Sequence, residues 1–484
     1  MHPLAKLDQA HVWHPFTQMR DWLRQEPIVL TAGKGAVLRD AQGREYLDAN
    51  SSIWTNLHGH NHPGINAALR RQLGKVAHTS ALGFANEPAS LLASKLVSAA
   101  NPPGSLAPSP SPRLEKVFFS DDGSTAMEVA LKLAYEFARR TKGQKSPRFL
   151  GLQGAYHGDT VGAVSLGHID LFHKAYAGLL FKSDAVMAPY CYRCPFNRAK
   201  PERADARDYR KCRWECVGKV EAKFATATKR QKPYAGFVFE PRMQGAAGMI
   251  PQPAGWLSKV TEIARGHGAS LIADEVMTGF GRTGAGSASG PKPKAQSLFA
   301  CHAEGVQPDF LALAKGLTGG YLPMAATLTT QVVFDAFLGE YTDFKTFFHG
   351  HSFTGNQLGA AAALASMDLL GSPQSVNARQ SLATALGEEL KSLWAVPQVG
   401  DVRQVGLVAG VELVRDWRTR TPFGLHEQAG IRVCQAMARR GVLTRPIGSV
   451  IVLMPPYCTT SKQLGKMVAA LTESIAEVFG AKAG

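Results

Sequence analysis

Residues 118–140 read FFSDDGSTAMEVALKLAYEFARR. An apolar run ends in Ser-Asp-Asp-Gly-Ser, and Met127, Ala130, Leu131, Ala134 and Phe137 then recur at helical spacing, so strand, turn and helix follow one another. Thr125 and Glu128 have the spacing of a capping box. Gly123, Ser124 and Thr125 thus open a helix whose free N–H groups and positive end suit a phosphate. Further strand-length runs, FLGL (149–152), AGFVFE (235–240), ASLIADE (269–275) and FLALAK (310–315), alternate with longer amphipathic stretches. This alternation predicts an α/β fold with a mostly parallel sheet.

At 484 residues and 45% hydrophobic content, the chain exceeds the roughly 250–300 residues at which single cores stop growing, so a large and a smaller domain are expected. After residue 345, the helix-like NQLGAAAALASMDLL, the strand candidates GLVAGVEL and SVIVLMPP, and an amphipathic helix over 461–479 predict a smaller α+β domain. The expected division is an N-terminal segment, 1–70, packing on the small domain, a large domain, 71–344, and the small domain, 345–484. Two Pro-, Gly- and Ser-rich stretches, 101–113 and 284–297, read as exposed insertions.

The formal charge of +16 favours anionic surroundings but speaks to encounter and solubility rather than chemistry. Four of the seven cysteines lie in CYRCPFNRAKPERADARDYRKCRWEC (191–216), with eight Lys or Arg against four Asp or Glu. Cys191, Cys194, Cys212 and Cys216 are spaced like a four-cysteine zinc site. Three readings stand: a zinc-stabilised nucleic-acid-binding module, a local zinc clip, or free thiols in a reducing compartment. The segment falls between other α/β units, which makes it an excursion. No stretch approaches the roughly 18 apolar residues of a membrane span, and the N-terminus has no apolar signal region. A cytoplasmic protein without membrane or nucleic-acid partners is expected.

The chemistry gathers at strand ends. In ASLIADEVMTGFGRTG an apolar run delivers Asp274 and Glu275 to its carboxyl end, where open α/β sheets hold their ligands. In PDFLALAKGLTGGYLPM the next run ends in Lys315, and a desolvated lysine can react as a neutral amine with an aldehyde. Phosphate cradle, carboxylate and amine, in that order, are the parts that bind pyridoxal phosphate.

The motifs DDGSTAMEVALKLA, GAYHGDTVGAVSLG, LIADEVMTGFGRTG, ALAKGLTGGYLPM and FFHGHSFTGN together resemble the class III pyridoxal-phosphate-dependent aminotransferases, of fold type I, over nearly the whole chain. The resemblance implies that Lys315 holds the cofactor and shuttles the substrate proton, that Asp274 pairs with the pyridine nitrogen, and that Tyr156 stacks on the ring with Asp159 supporting the pocket. It implies Gly123 and Ser124 for the phosphate, together with His351 and Ser352 from the other subunit of a homodimer, and Gly350 beside the substrate. HVWHPFTQM, SSIWTNLHGH and LTRPIGSVIVLMPPY are similar to members that aminate 8-amino-7-oxononanoate in biotin synthesis, which implies Trp54 as a pocket wall, Arg445 for the substrate carboxylate and Arg282 as a weaker candidate. HGHNH (58–62) then reads as a turn, not a metal site. Members that use S-adenosylmethionine as donor carry tyrosine at Phe16 and often an aromatic residue at Val452, so the donor leans slightly to L-lysine. A general ω-aminotransferase of diamines or ω-amino acids is the alternative.

Overall fold

The computed structural model describes residues 1–102, 112–284 and 298–480; nearly all of the two expected insertions, 101–113 and 284–297, lies outside the described residues. A seven-stranded sheet carries the centre of the fold. Its strands run in the order Leu114–Ser120, Ala325–Thr330, Phe310–Leu313, Ser270–Asp274, Tyr234–Phe239, Arg148–Leu152 and Asp184–Val186. Ala325–Thr330 runs antiparallel to both neighbours, and the other pairings are parallel. Parallel strands covered on both faces read as unbroken apolar runs, as these do.

Alternate residues of each strand enter different cores. Phe237, Phe239, Leu271, Ala273, Leu311 and Leu313 pack with the helix Trp256–Gly266. Val238, Ile272, Phe310 and Ala312 pack with Ala126, Met127 and Ala130 of the helix Gly123–Lys142. Residues that continue the second set past the strand ends therefore emerge on the side where that helix begins.

The first strands of the chain, Leu30–Lys34, Val37–Asp40 and Glu45–Asp48, form a sheet completed by Val442–Leu443 from the far end of the sequence. Another sheet joins Val399–Val405, Val408–Asp416, Val450–Leu453 and Pro446–Ile447. The expected final helix spans Ser461–Phe479, and NQLGAAAALASMDLL supplies the helix Gln357–Gly371. No helix among the described residues is long and apolar enough to cross a membrane.

The cysteine-bearing excursion is bound into the fold by its basic residues. Arg193 donates to Glu412 Oε1 at 2.6 Å, and the Tyr190 hydroxyl donates to the same carboxylate. Glu412 and Asp401 are bridged by the buried Arg403, whose Nη1 lies 2.7 and 2.8 Å from them while its Nε donates to the carbonyls of Gly248 and Met249. Arg207 donates to Asp205 and to the Gln404 carbonyl, and Arg203 donates to the carbonyls of Trp394, Val396 and Val399. Three of the segment's eight basic residues, Arg193, Arg203 and Arg207, thus serve to fasten it to the rest of the chain. Among the described residues no group of three or more His, Cys, Asp or Glu is gathered so as to hold a metal ion, and all four cysteines are free thiols. Replacing Arg403 by methionine leaves the buried Asp401 without its cation and Glu412 with Arg193 alone. Such a change should lower stability by about 3–5 kcal/mol, read from urea unfolding.

Candidate active site

Asp274 pairs with Ala312 across two parallel strands. Three residues further on, Lys315 has φ 35°, a left-handed conformation that turns the chain sharply after the strand. A cavity of about 770 Å³ opens at these carboxyl ends, with Asp122, Gly123, Ser124, Tyr156, Asp274 and Lys315 in its wall. Among the described residues Lys315 Nζ has no hydrogen-bond partner, and it stands 5.2 Å from the Trp54 ring centroid. Burial lowers the Lys315 pKa, opposed by the charges of Asp274, Glu240 and Asp122. A buried lysine of this kind spends more time as the nucleophilic amine.

The anion end of the cavity is the start of the helix Gly123–Lys142. Its cap corrects the expected Thr125–Glu128 box: Asp122 is the N-cap, accepting from Thr125 N at 2.9 Å, and Thr125 Oγ1 accepts from Asp122 N at 3.0 Å. Because the helix starts at Gly123, Thr125 is already its third residue. Glu128, a turn further in, instead accepts from Gly162 N at 2.7 Å and Ala163 N at 3.2 Å, tethering the helix Val161–Leu166. Ser124 Oγ accepts from Asp159 N at 2.8 Å, and a Cβ on Gly158 would collide with that oxygen. The Tyr156 hydroxyl donates to Asp159 at 2.7 Å; burial, with help from that carboxylate, pushes the phenol pKa well up. Tyr156 is therefore a neutral ring at the cavity wall.

Asp274 is held from two sides. Its Oδ1 accepts from Val276 N at 3.0 Å, and its Oδ2 is 2.7 Å from Nδ1 of the buried His157. His157 was not among the residues singled out from the sequence, although it adjoins Tyr156 in GAYHGDT; its pairing with Asp274 becomes visible only when residues 117 apart meet. Glu240, also in the cavity wall, follows the neighbouring strand as Asp274 ends its own.

Trp54 takes its place through an unusual turn. Ser51, Ser52, Ile53 and Trp54 have φ of 46, 48, 63 and 72°, four consecutive non-glycine residues in the left-handed region. Such residues cost roughly 1–2 kcal/mol each. Asp48 compensates: it accepts from Ser52 N at 3.0 Å and Ser52 Oγ at 2.9 Å, and lies 2.9 Å from His60 Nε2. Ser51 Oγ donates to the Met454 carbonyl at 2.6 Å. HGHNH is indeed a turn against this wall, with His60 on Asp48 and His58 on Ser366.

Several residues singled out from the sequence lie elsewhere. Arg282 is buried outside the cavity wall, donating to the carbonyls of Pro455 and Asn56. Val452 is buried in a methionine-rich cluster against which Trp54 packs. Phe16 is exposed, edge-on to Tyr156 and Phe172, and the exposed Arg445 reaches its carbonyl at 3.5 Å. Gly350, His351 and Ser352 are absent from the wall of this cavity; His351 instead sits 3.3 Å from Asp121.

The donor set fits pyridoxal phosphate. It offers an amine with no hydrogen-bond partner, a carboxylate braced by a histidine, an aromatic wall and a helix start kept open by glycine. The class-III aminotransferase family model matches residues 19–475. The adenosylmethionine-8-amino-7-oxononanoate aminotransferase of Geobacter sulfurreducens is 46% identical over 477 residues, covering 99% of this chain and 98% of that one. The crystal structure of the enzyme of that name from Methanocaldococcus jannaschii is 37% identical with a TM-score of 0.85, covering 98% of each chain. An amine transaminase from an uncultivated Pseudomonas species, in its PLP-bound form, is 32% identical with a TM-score of 0.83 over 96% of this chain and 98% of that one. This chain belongs to the class-III aminotransferase family and is a pyridoxal-phosphate-dependent transaminase. The nucleic-acid-binding reading is set aside.

Removing the Asp48 carboxylate leaves Ser52, His60 and the left-handed turn unsupported. Asp48→Ala should lose about 1–3 kcal/mol of stability, and the loosened Trp54 should raise KM more than it lowers kcat; thermal melts and steady-state kinetics check both.

Proposed function

We propose that this transaminase converts the ketone of 8-amino-7-oxononanoate to the corresponding 7,8-diamine, a step of biotin synthesis. The observation that supports this acceptor most is full-length identity of 46% to a relative that carries it in its name, against 32% for the amine transaminase. When bound, pyridoxal phosphate supplies an aldehyde carbon for the amino group and a ring that takes up the electron pair left as a carbon–hydrogen bond breaks. In this reading Lys315 holds the cofactor, then carries the proton from the substrate carbon as a neutral amine. Asp274 keeps the ring nitrogen protonated through a charge-assisted hydrogen bond. Gly123 and Ser124 direct their N–H groups at the phosphate, and Tyr156 covers the ring. Trp54 borders the substrate, joined by the partner's Gly350, and Arg445 takes its carboxylate in a bidentate grip at the pocket mouth beside Phe16.

The donor has two candidates. S-adenosylmethionine stands in the relatives' names, whereas the missing hydroxyl at Phe16 favours L-lysine. The site is shared in a cytoplasmic homodimer, with His351 and Ser352 serving the partner's phosphate. Exposed apolar side chains support this assembly: Leu82, Phe84, Phe348 and Phe353 are 86, 73, 69 and 56% exposed in the single chain.

Purified protein supplied with 8-amino-7-oxononanoate and an amino donor should form the diamine, and Lys315→Ala should lower turnover by at least about 10⁴-fold. In donor half-reactions followed by cofactor absorbance, L-lysine should convert the enzyme; conversion by S-adenosylmethionine alone would reverse the donor assignment. Turnover of simple ω-amino acids with a 2-oxo acid, without the ketone substrate, would favour the general ω-aminotransferase. Sedimentation equilibrium should give twice the 52.0 kDa chain mass, and a monomeric mass would remove the shared site.

A further inference from the structure

The loop 156–160, which carries Tyr156 and Asp159 to the cavity, runs close against the helix Gly123–Lys142. A Cβ on Gly158 would stand 1.8 Å from Ser124 Oγ and 2.7 Å from Ser124 Cα, and one on Gly162 would stand 2.2 Å from Glu128 Oε2, so neither approach leaves room for a side chain. Ser124 and Glu128 are at i and i+4 and share one face of the helix. Ser124 Oγ accepts from Asp159 N at 2.8 Å, while Glu128 Oε1 accepts from Gly162 N at 2.7 Å and Ala163 N at 3.2 Å, in the first turn of the helix Val161–Leu166. By residue type Thr160 would cap that helix itself. Its side chain makes no capping bond, and among the described residues its Oγ1 is buried with no hydrogen-bond partner. The cap is lent instead by Glu128, from another helix.

We propose that Glu128 is a positioning residue of this transaminase: by capping the helix Val161–Leu166 it moors the loop 156–160 to the helix that opens on the phosphate cradle, so that cradle and ring cover move as one body. Glu128 is absent from the wall of the cavity and acts through the backbone it binds. The mooring has two points. At Ser124 the loop is fixed beside the cradle, and the Tyr156 hydroxyl, donating to Asp159 Oδ2 at 2.7 Å, draws the ring onto the same anchor. At Glu128 the chain is fixed again just beyond the loop, which stops it from pivoting about the Ser124 contact.

The two ties differ in strength. Ser124 offers the loop one bond from a neutral hydroxyl oxygen, whereas a carboxylate accepting from backbone N–H groups forms charge-assisted bonds, which are shorter and stronger. Relative position matters here because two contacts to one molecule are divided between the parts. Gly123 and Ser124 hold the phosphate from the helix, and Tyr156 covers the ring from the loop, so a shift of about 1 Å between loop and helix spoils one contact or the other.

The role of Glu128 rests on the transaminase reading of the site, and its test begins with the apoprotein. There, exchange of the Asp159, Gly162 and Ala163 amide hydrogens should be at least about tenfold faster in Glu128→Ala than in the parent. Glu128→Ala should bind pyridoxal phosphate about tenfold more weakly, lose part of the circular dichroism of the bound cofactor's visible band, and lower kcat about tenfold with KM moved less than about threefold. Glu128→Gln keeps the accepting oxygen and should return cofactor affinity to within about threefold of the parent. Gly162→Ala leaves Glu128 in the chain but pushes its carboxylate aside, so it should reproduce the loss even if Glu128→Ala folds poorly, and the double variant should be no worse than either alone. Cofactor affinity and dichroism within about twofold of the parent in both Glu128→Ala and Gly162→Ala, whatever their melting temperatures, would overturn the proposal and leave the site reading intact. A parent that binds no pyridoxal phosphate would overturn the site reading and the proposal with it.

Discussion

Asp274 faces Ala312 across two parallel strands, and this register is the constraint on which the site depends. A slip of one residue would send every strand side chain to the opposite face, moving Asp274 off the side where the helix Gly123–Lys142 begins. With the register held, the carboxylate, the amine three residues past Ala312 and the helix start all converge on one cavity. The hold itself is apolar: Phe237, Phe239, Leu271 and Leu311 on one face and Val238, Ile272 and Phe310 on the other leave neither strand free to shift.

Placing charge at the edge of such a core has consequences for every polar neighbour. A group removed from water responds strongly to nearby charges, because little solvent screens them. Burial moves Lys315 down and Glu240 up, while the Asp274 charge opposes the first shift, adds to the second and, against burial, leaves His157 raised. The same low screening lets Arg403 bind Asp401 and Glu412 firmly, so one physical condition serves reactivity at the cavity and rigidity behind it.

Much of this was legible in the sequence, for local reasons. Apolar runs marked five strands of the main sheet, and the final helix has the bounds its periodicity implied, because hydrophobic period and capping are local properties. Asp274 and Lys315 stood out because each ends an apolar run. The cap of the helix Gly123–Lys142 was displaced by one turn, since two acids and a threonine offer competing registers and only the chain path selects Asp122. His157 carries no local mark of its contact with Asp274, which depends on the meeting of residues far apart in the chain. The left-handed turn at Trp54 was equally hidden, as Ser-Ser-Ile-Trp contains no glycine. GFGRTG likewise does not reveal that the Arg282 guanidinium turns inward onto the carbonyls of Pro455 and Asn56. The four cysteines suggested a module by spacing, but Arg193, Arg203 and Arg207 among them bind carboxylates and carbonyls elsewhere in the same chain, contacts that spacing does not reveal.

The sheet that joins Glu45–Asp48 to Val442–Leu443 also imposes an order of events during synthesis. Asp48 anchors the Trp54 wall, yet its strand gains a parallel neighbour only from residues nearly four hundred positions later. A nascent chain can assemble the central sheet, with Asp274 and Lys315 in place, while its first fifty residues still lack that partner. Contacts of such sequence separation form late, after most of the loop-closure entropy has been lost elsewhere. The strand-end half of the cavity can therefore form first, and Val442 and Leu443 must be made before the strand beneath the Trp54 wall is complete.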